Sequence, residues 1–244
     1  MTSTTLPDWN IPHDHPYYPR LPARYEHVKL QRVFFRAEPE AVATFLPEGL
    51  VGASDGSCVA GGLAVAQCDN YGAFEETWVQ MKCFFGDQEG WFCSRVPHNQ
   101  PNAIAAGREI YGTPKIFAEI AVNQSDSTMR TTCKVAGEMM MTVRSTTDEP
   151  CSADELPSVS PSWRLKIIPR ADGPGAALKQ LINGSSPVSD VIVHDCRRGT
   201  GSVQFMPNKA CDLSRLSPRE IGKVYYTETS FTEGYARIVH DYLR

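Results

Sequence analysis

The feature that most constrains the fold is a series of short apolar segments in which apolar and polar residues alternate. Alternation of this kind is typical of β-strands with one buried face. The candidate strands are 30–36, 58–67, 77–85, 90–96, 115–124, 129–145, 163–169, 188–196, 202–206, 223–231 and 235–243. Only 37–50, 103–109 and 175–183 have helix-like patterns. Many antiparallel-type strands with a few short helices predict an α+β protein built on a closed or nearly closed β-barrel.

We predict one domain preceded by a short arm. Residues 1–25 are rich in proline and aromatic residues and have no periodicity, so they are expected to pack over a neighbouring surface. The aromatic residues that we expect to be buried there are Trp9, Tyr17, Tyr18 and Tyr25. Residues 26–244 contain no internal repeat and no obvious linker, which favours a single barrel domain over two smaller ones.

Composition excludes several classes of partner. The net charge is -4, and acidic and basic residues are mixed along the chain, so no basic surface for nucleic acid is predicted. No apolar run approaches the roughly 20 residues of a membrane span, and the N-terminus does not resemble a signal peptide. The eight cysteines form no C-x-x-C pair, which indicates reduced thiols. We therefore expect a cytoplasmic protein.

Common cofactor and metal motifs are absent from the sequence. There is no Walker loop, no H-E-x-x-H and no G-x-S-x-G. His13, Asp14 and His15 lie between prolines and indicate a surface loop rather than a metal site. His98 and the other scattered histidines are expected at the surface or in ordinary hydrogen bonds. We predict neither a cofactor nor a metal.

One lysine stands in an unusual context, in the stretch GREIYGTPKIFAEI at 107–120. Pro114 stiffens the entry to the strand that Lys115 begins, and Gly112 permits a tight backbone approach just before it. The helical turn upstream carries Arg108 and Glu109, a charged pair that could orient a group nearby. On these residues alone a surface lysine and a functional lysine both remain open.

Four segments resemble the acetoacetate decarboxylase family: GREIYGTPK, WRLKIIPRADGPG, LINGSSPVSDVIVHD and IVHDYLR. The resemblance runs in order from about residue 28 to the C-terminus. It implies a mainly antiparallel, cone-like β-barrel, a homo-oligomer, and a Schiff base between Lys115 and a substrate ketone. It also places Glu76 on the acidic residue beside that lysine.

Further substrate contacts are expected around this pair. The candidates are Glu75, the acidic neighbour of Glu76; Arg108 and Glu109, from the turn before the lysine; Thr113, which replaces an aromatic residue of the family; and Phe117, on the same strand face as Lys115.

The chain departs from the family pattern at charged positions. Val28 stands where the family has an arginine, unless Lys29 or Arg32 takes that place in another strand register; Gly61 stands for a second glutamate, and Ile116 for a second lysine. These changes imply a larger and less polar pocket, and they disfavour acetoacetate itself as the substrate.

The chemistry explains why such a lysine would avoid water. A lysine attacks a carbonyl only when it is unprotonated, and at a pKa of about 10.4 only about one in 2,500 is unprotonated at pH 7. Burial disfavours the ammonium and can lower the pKa of a lysine by up to 3–5 units. Acetoacetate decarboxylase is itself a known example of a lysine activated by desolvation or by an adjacent cationic group. With Ile116 adjacent to Lys115, we expect desolvation to be the larger influence.

Three functions remain open from the sequence. The first is a Schiff-base decarboxylase of a small-molecule β-keto acid larger than acetoacetate, with Glu76 transferring protons and Glu75 as the adjacent alternative. The second is an aldolase–dehydratase or related lyase that uses the same lysine. The third is a barrel that binds an apolar ligand without turnover, in which Glu76 would be a structural carboxylate.

Overall fold

The structure is a computed structural model that describes residues 9–185 and 188–244. These residues form fifteen strands, two α-helices and two short 3₁₀ turns. The strands are β1 Ala23–Arg36, β2 Leu50–Gly52, β3 Ser57–Val65, β4 Gln67–Cys68, β5 Phe74–Phe85, β6 Gln88–His98, β7 Lys115–Phe117, β8 Glu119–Ser125, β9 Thr128–Val135, β10 Glu138–Pro150, β11 Ser162–Pro169, β12 Ala176–Asn183, β13 Val188–Phe205, β14 Glu220–Glu233 and β15 Arg237–Asp241. The helices are α1 Pro39–Ala43 and α2 Pro101–Tyr111.

The strands belong to one mainly antiparallel sheet. Its main path runs β15-β12-β11-β6-β5-β3-β1-β14-β13-β10-β9-β8, and only the pairs β6–β11 and β6–β7 are parallel. Because β7 pairs with β6 and continues through Ala118 into β8, the path returns towards β6. The ladder is interrupted at Ala118, so full closure of the barrel stays a prediction. The α+β fold class and the single strand-rich unit are confirmed.

One sequence prediction of secondary structure was wrong in kind. Residues 175–183 were predicted as a helix but contain β12, which pairs with both β11 and β15. Residues 129–145 were predicted as a long strand broken at Gly137, and they form the β9–β10 hairpin, which turns at that position. The chain reverses there because Ala136 and Gly137 both have positive φ, at 52° and 80°, as a tight primed hairpin turn requires.

The arm packs on the domain that follows it. Tyr18 is buried, and its hydroxyl donates a hydrogen bond to Glu109 on α2. Trp9 donates its indole N–H to the carbonyl of Tyr18 at 3.1 Å. Tyr17, by contrast, is 51% exposed, so its predicted burial is wrong. β1 already begins at Ala23, and residues 1–8 of the predicted arm lie outside the described residues.

The central strands separate the main hydrophobic core from a cavity. On β1, Val33 and Phe35 point into a large apolar cluster that also contains residues of β9, β10 and β14. Leu30 and Arg32, which alternate with them, line a cavity on the other face. No helix among the described residues is long and apolar enough to cross a membrane. All eight cysteines are free thiols.

Candidate active site

The cavity has a volume of about 570 Å³ and a largely apolar wall. Strands β1, β3, β5, β6 and β14 form one side, while α2 and the first part of β11 form another. Leu30, Leu63, Phe74, Trp78 and Val96 supply much of the apolar surface. A volume of this size is typical of pockets that enclose a small organic molecule.

Helix α2 carries the features that place Lys115 in this cavity. The helix starts at Pro101, since the first helical turn accepts proline, and ends at Tyr111; the C-cap that follows, Gly112, has a left-handed φ of 66°. A Cβ at Gly112 would lie only 2.5 Å from the backbone of Lys166, so the turn also needs a residue without a side chain. The turn directs the chain from the helix into β7.

Glycine within α2 also makes room for the lysine side chain. A Cβ at Gly107 would lie 2.7 Å from Cδ of Lys115 and 2.8 Å from Cε. The aliphatic part of Lys115 therefore packs directly on the helix backbone. The next residue, Arg108, donates a hydrogen bond from its guanidinium to the Lys115 carbonyl at 3.0 Å. The G-R pair of the motif thus holds both the side chain and the backbone of Lys115.

The amine of Lys115 forms an ion pair with a carboxylate inside the cavity. The distance from Lys115 Nζ to Glu76 Oε2 is 2.8 Å, and both side chains are only 14% exposed. The amine also lies 5.7 Å from the centre of the Phe74 ring. Burial disfavours the charged amine, whereas the carboxylate favours it. Glu76 therefore opposes the effect of burial on the amine, and the sequence could not show how strongly. It is also close enough to exchange a proton with the amine.

His98 is a buried, hydrogen-bonded residue beside Glu76 to which the sequence assigned no role in the site. It is fully buried, its ring stacks near Phe74, and its Nε2 lies 3.6 Å from Glu76 Oε2. Burial, together with the nearby charge of Lys115, lowers the pKa of His98 to about 2. Nδ1 accepts a hydrogen bond from the Gln100 backbone N–H at 2.9 Å. His98 is therefore neutral, its proton is on Nε2, and the contact with Glu76 is not an ion pair.

The pKa of His98 predicts a pH dependence of stability. In the unfolded chain a histidine takes up a proton near pH 6.5, whereas folded His98 does not until about pH 2. Its contribution is therefore complete above pH 6.5 and is lost as the pH falls below that value. In urea unfolding, the free energy of unfolding of the wild type and of His98→Gln should run parallel above about pH 7.5; as the pH is lowered below about 5.5, that of the wild type should fall more steeply, by about 1.4 kcal/mol per pH unit. Curves that stay parallel at the lower pH would contradict this assignment.

The structure brings some of the predicted substrate contacts into the cavity. Thr113 is buried and lines the wall, with a hydroxyl that has no hydrogen-bond partner among the described residues. Arg108 is outside the cavity and acts only on the Lys115 backbone. Glu109 also faces away, because it accepts the hydrogen bond from Tyr18 of the arm. Neither residue lines the cavity, so their expected contacts with substrate stay predictions that their positions do not support.

Glu75 and Phe117 are also placed away from the cavity. Glu75 is on the opposite face of β5 from Glu76, since successive side chains of a strand alternate. Its Oε1 accepts a hydrogen bond from the Val122 N–H at 2.9 Å, which ties β5 to β8. Phe117 is 63% exposed because it ends the three-residue strand β7, which pairs only with β6. Neither residue is placed to contact a ligand in the cavity.

Two positions at which the chain departs from the family pattern lie in or beside the cavity wall. Val28 and Arg32 both line the cavity. Burial lowers the pKa of Arg32 to about 10, and its guanidinium donates to the Thr227 hydroxyl at 3.2 Å. Gly61 faces the Trp78 ring, and a Cβ there would lie 2.6 Å from the ring and 2.1 Å from the Gln31 carbonyl oxygen. An indole thus occupies the space beside position 61.

Two charged residues of the cavity were missed by the sequence analysis. Arg164, on β11, lines the wall with its guanidinium 5.7 Å from the centre of the Tyr111 ring. Glu233, at the end of β14, accepts a hydrogen bond from the Tyr25 hydroxyl at 2.8 Å. Both residues are far in sequence from Lys115, so only the fold could bring them to it. Their neighbourhood in the sequence has no signal that separates them from surface charges.

The chain is similar to known proteins over nearly its whole length. The acetoacetate decarboxylase family profile matches residues 11–243. Acetoacetate decarboxylase 1 of Bradyrhizobium diazoefficiens is 25% identical over 240 residues, which cover 96% of this chain and 94% of the relative. Acetoacetate decarboxylase of Clostridium botulinum is 24% identical over 239 residues, covering 94% of this chain and 93% of the relative.

Solved structures have the same fold. Acetoacetate decarboxylase from Legionella pneumophila superposes with a TM-score of 0.87 at 22% identity, covering 100% of this chain and 95% of that one. The enduracididine biosynthesis enzyme MppR, complexed with a condensation product of pyruvate and imidazole 4-carboxaldehyde, superposes with a TM-score of 0.83 at 20% identity, covering 96% and 97%. At these identities the structures show the fold alone, whereas the family profile spans nearly the whole chain. The chain belongs to the acetoacetate decarboxylase family.

Proposed function

We propose that this protein is a carbon–carbon lyase that decarboxylates a β-keto acid through a Schiff base on Lys115. The observation that carries the proposal is the buried pair of Lys115 Nζ and Glu76 Oε2, at 2.8 Å in a largely apolar cavity. Membership of a family whose curated relatives are named acetoacetate decarboxylase supports the same reaction class. A nucleophile with a proton acceptor within hydrogen-bonding distance is the arrangement that covalent catalysis requires.

The first half of the reaction forms the iminium. Glu76 takes a proton from the Lys115 ammonium, and the neutral amine attacks the ketone carbon of the substrate. After the proton moves from nitrogen to oxygen, the protonated Glu76 donates to the departing hydroxyl, and water leaves. The resulting iminium carries one positive charge beside the ionised Glu76, so the carboxylate that paired the ammonium also stabilises the cationic intermediate.

The second half breaks the carbon–carbon bond. The electron pair of the bond to the carboxylate moves towards the iminium nitrogen, carbon dioxide leaves, and a neutral enamine remains. The overall reaction consumes one proton. Glu76 takes this proton from solvent and delivers it to the enamine carbon, after which water hydrolyses the iminium and releases the ketone. The apolar wall favours this step, since a carboxylate loses its charge as it departs as carbon dioxide.

The size of the cavity supports a substrate larger than acetoacetate. Its volume of about 570 Å³ leaves space beyond a four-carbon acid whose ketone is joined to Lys115. Val28 and Thr113 are small residues on the wall at positions where the family resemblance expects larger ones. We therefore propose a keto acid with a longer carbon chain.

A second candidate function is carbon–carbon bond formation or dehydration on the same lysine. Glu233 is a second carboxylate in the cavity, and the Tyr25 hydroxyl orients it at 2.8 Å. An aldolase–dehydratase needs an acid–base group for the second carbonyl compound and space to hold it. In MppR the same fold holds a condensation product of pyruvate. Carbon dioxide release from a keto acid alone separates decarboxylation from this alternative.

Borohydride trapping tests the proposal directly. Incubation of the protein with a β-keto acid and sodium borohydride should give a reduced adduct on Lys115, located by peptide mass spectrometry, and carbon dioxide should be released when borohydride is omitted. Adducts without carbon dioxide would favour condensation chemistry. The absence of an adduct with every ketone tried would leave only a ligand-binding barrel.

We also propose that the protein is a homo-oligomer. Ile192 of β13 is 51% exposed, and Phe117 and Tyr235 are exposed aromatic residues. Apolar surface of this kind is typical of interaction sites, and a second copy of the chain is the partner expected from the family resemblance. Light scattering after size-exclusion chromatography would measure the mass; a monomer would contradict the proposal.

The arm boundary at residue 25 and the cytoplasmic location stay predictions.

A further inference from the structure

A guanidinium without a carboxylate partner lines the cavity beside the reactive lysine. None of the ion pairs among the described residues includes Arg164, and its buried Nε has no hydrogen-bond partner there. Its guanidinium lies over the face of the Tyr111 ring, at 5.7 Å. The Arg164 side chain is half-buried, and a guanidinium with an unpaired buried donor is suited to bind an anionic ligand. The cavity therefore has a binding site for an anion in addition to its nucleophile.

A second polar group on β11 lies on the same face of the strand as Arg164. Ser162 precedes Arg164 by two residues on β11, so both side chains are on one face of the strand, and both line the cavity. The Ser162 hydroxyl is buried and has no hydrogen-bond partner among the described residues. A hydroxyl and a guanidinium are donors that match the oxygens of a carboxylate.

The turn after β12 leaves space for this arginine. A Cβ at Gly184 would lie 2.3 Å from Arg164 Nε and 2.4 Å from Cζ. Any side chain at position 184 would displace the guanidinium from its present position. Gly184 thus holds open the place that the charged group occupies, as Gly107 does for Lys115.

Lys115 and Arg164 both pack on helix α2. Lys115 packs on Gly107, and Arg164 lies over the ring of Tyr111, four residues later on the same helix face. Four residues of α-helix rise about 6 Å. A ketone bound to Lys115 and a carboxylate three bonds away are separated by about 4 Å, and a charge-assisted hydrogen bond adds about 3 Å. A substrate of this length is therefore comparable with the spacing of the two helix positions on which Lys115 and Arg164 pack, and both residues line the same cavity.

Resting on the proposed decarboxylase function, we infer that Arg164 selects substrates by binding a carboxylate that stays on the product, so that the substrate is a β-keto acid with a second carboxylate at its far end. The departing carboxylate loses its charge in the transition state. An ion pair with it would stabilise the substrate more than the transition state and would slow the reaction. A retained carboxylate keeps its charge throughout, so its ion pair with Arg164 assists binding without opposing the chemistry.

Two substrates that differ only in the terminal group test the inference. 3-Oxohexanoate gives 2-pentanone, and 3-oxoadipate gives levulinate; only the second has a retained carboxylate. The wild type should have the higher kcat/KM for 3-oxoadipate. Arg164→Gln should lower kcat/KM for 3-oxoadipate by about 10- to 150-fold, mainly through KM, and should change 3-oxohexanoate by less than about 3-fold. Arg164→Lys should restore part of the preference.

Controls separate charge from folding and from the proposed function. Arg170→Gln removes an exposed guanidinium that pairs with Asp172, and should leave both substrates unchanged. Equal loss for both substrates in Arg164→Gln would overturn the inference, since the arginine would then act on the departing carboxylate or on the fold.

A second readout does not depend on decarboxylation. Borohydride should trap levulinate on Lys115 at lower concentrations than 2-pentanone in the wild type, and at similar concentrations in Arg164→Gln. Equal trapping in the wild type would overturn the Arg164 inference alone. If both ketones are trapped but no carbon dioxide is released from either acid, the proposed decarboxylation fails and the role of Arg164 is still decided by the trapping. Failure to trap either ketone would overturn both.

Discussion

Lys115→Met is expected to lower kcat/KM for any β-keto acid substrate by at least about 10⁴-fold and to abolish the borohydride adduct. Methionine fills a similar volume against Gly107 and the Phe74 ring, but it has no amine to attack the ketone. Without the covalent bond, no iminium is present to accept the electron pair of the breaking bond. The measurement is carbon dioxide release under saturating and limiting substrate.

The matched control for this substitution is Lys82→Met. Lys82 forms an ion pair with Glu89 at 3.0 Å and does not line the cavity. It should keep the activity of the wild type within about twofold, because surface ion pairs contribute little to stability. Substantial carbon dioxide release by a folded Lys115→Met protein would exclude Lys115 as the nucleophile and return the site to the ligand-binding alternative.

Glu76→Gln is expected to lower kcat by about 10²- to 10⁴-fold, the range that general acid–base catalysis usually contributes. The amide keeps the shape of the side chain, but it can neither take the amine proton nor balance the iminium charge. The loss should appear in kcat more than in KM, since Glu76 acts on Lys115 and on intermediates rather than on a distant part of the substrate. Steady-state kinetics with a trapped-adduct assay would separate Schiff-base formation from later steps.

Glu75→Gln provides an internal comparison at the adjacent position. Its carboxylate is on the other face of β5, where it accepts hydrogen bonds from Val122 and Asn99. A glutamine can still accept the bond from Val122, so activity should change by no more than a few fold. If Glu75→Gln were as damaging as Glu76→Gln, the proton-transfer role would not belong to Glu76.

The sequence predicts the strand-rich architecture well because alternation reports burial on one face, which is a local property. It fails where distant chain decides the structure. Residues 176–183 include Leu178, Leu181 and Ile182, which have the spacing of a helix face, but β15, more than 50 residues later, pairs with this segment. Leu181 packs with Trp163, and both faces of the segment are covered near Gln180, so the strand has no simple alternation.

The residues of the candidate site also divide into those that the sequence predicts and those that depend on distant parts of the chain. Lys115 and Glu76 follow from the family resemblance, and the local G-R-E-x₄-P-K pattern is explained by contacts within α2 and β7. His98 could not be assigned from the sequence, because it faces Glu76 only through the register of β5 and β6. That register contains a bulge between Val79 and Gln80, and one residue of slip would move the side chain to the other face.

The indole of Trp78 makes positions 61 and 78 dependent on each other. An acidic side chain at position 61 has no room while the ring is present, and even a methyl group would meet the Gln31 carbonyl oxygen. A glutamate at position 61 would therefore need a smaller residue at 78 and a shift of β1. A larger residue at position 61 would thus be accepted only after position 78 has been changed. Engineering of this part of the cavity should therefore begin at position 78.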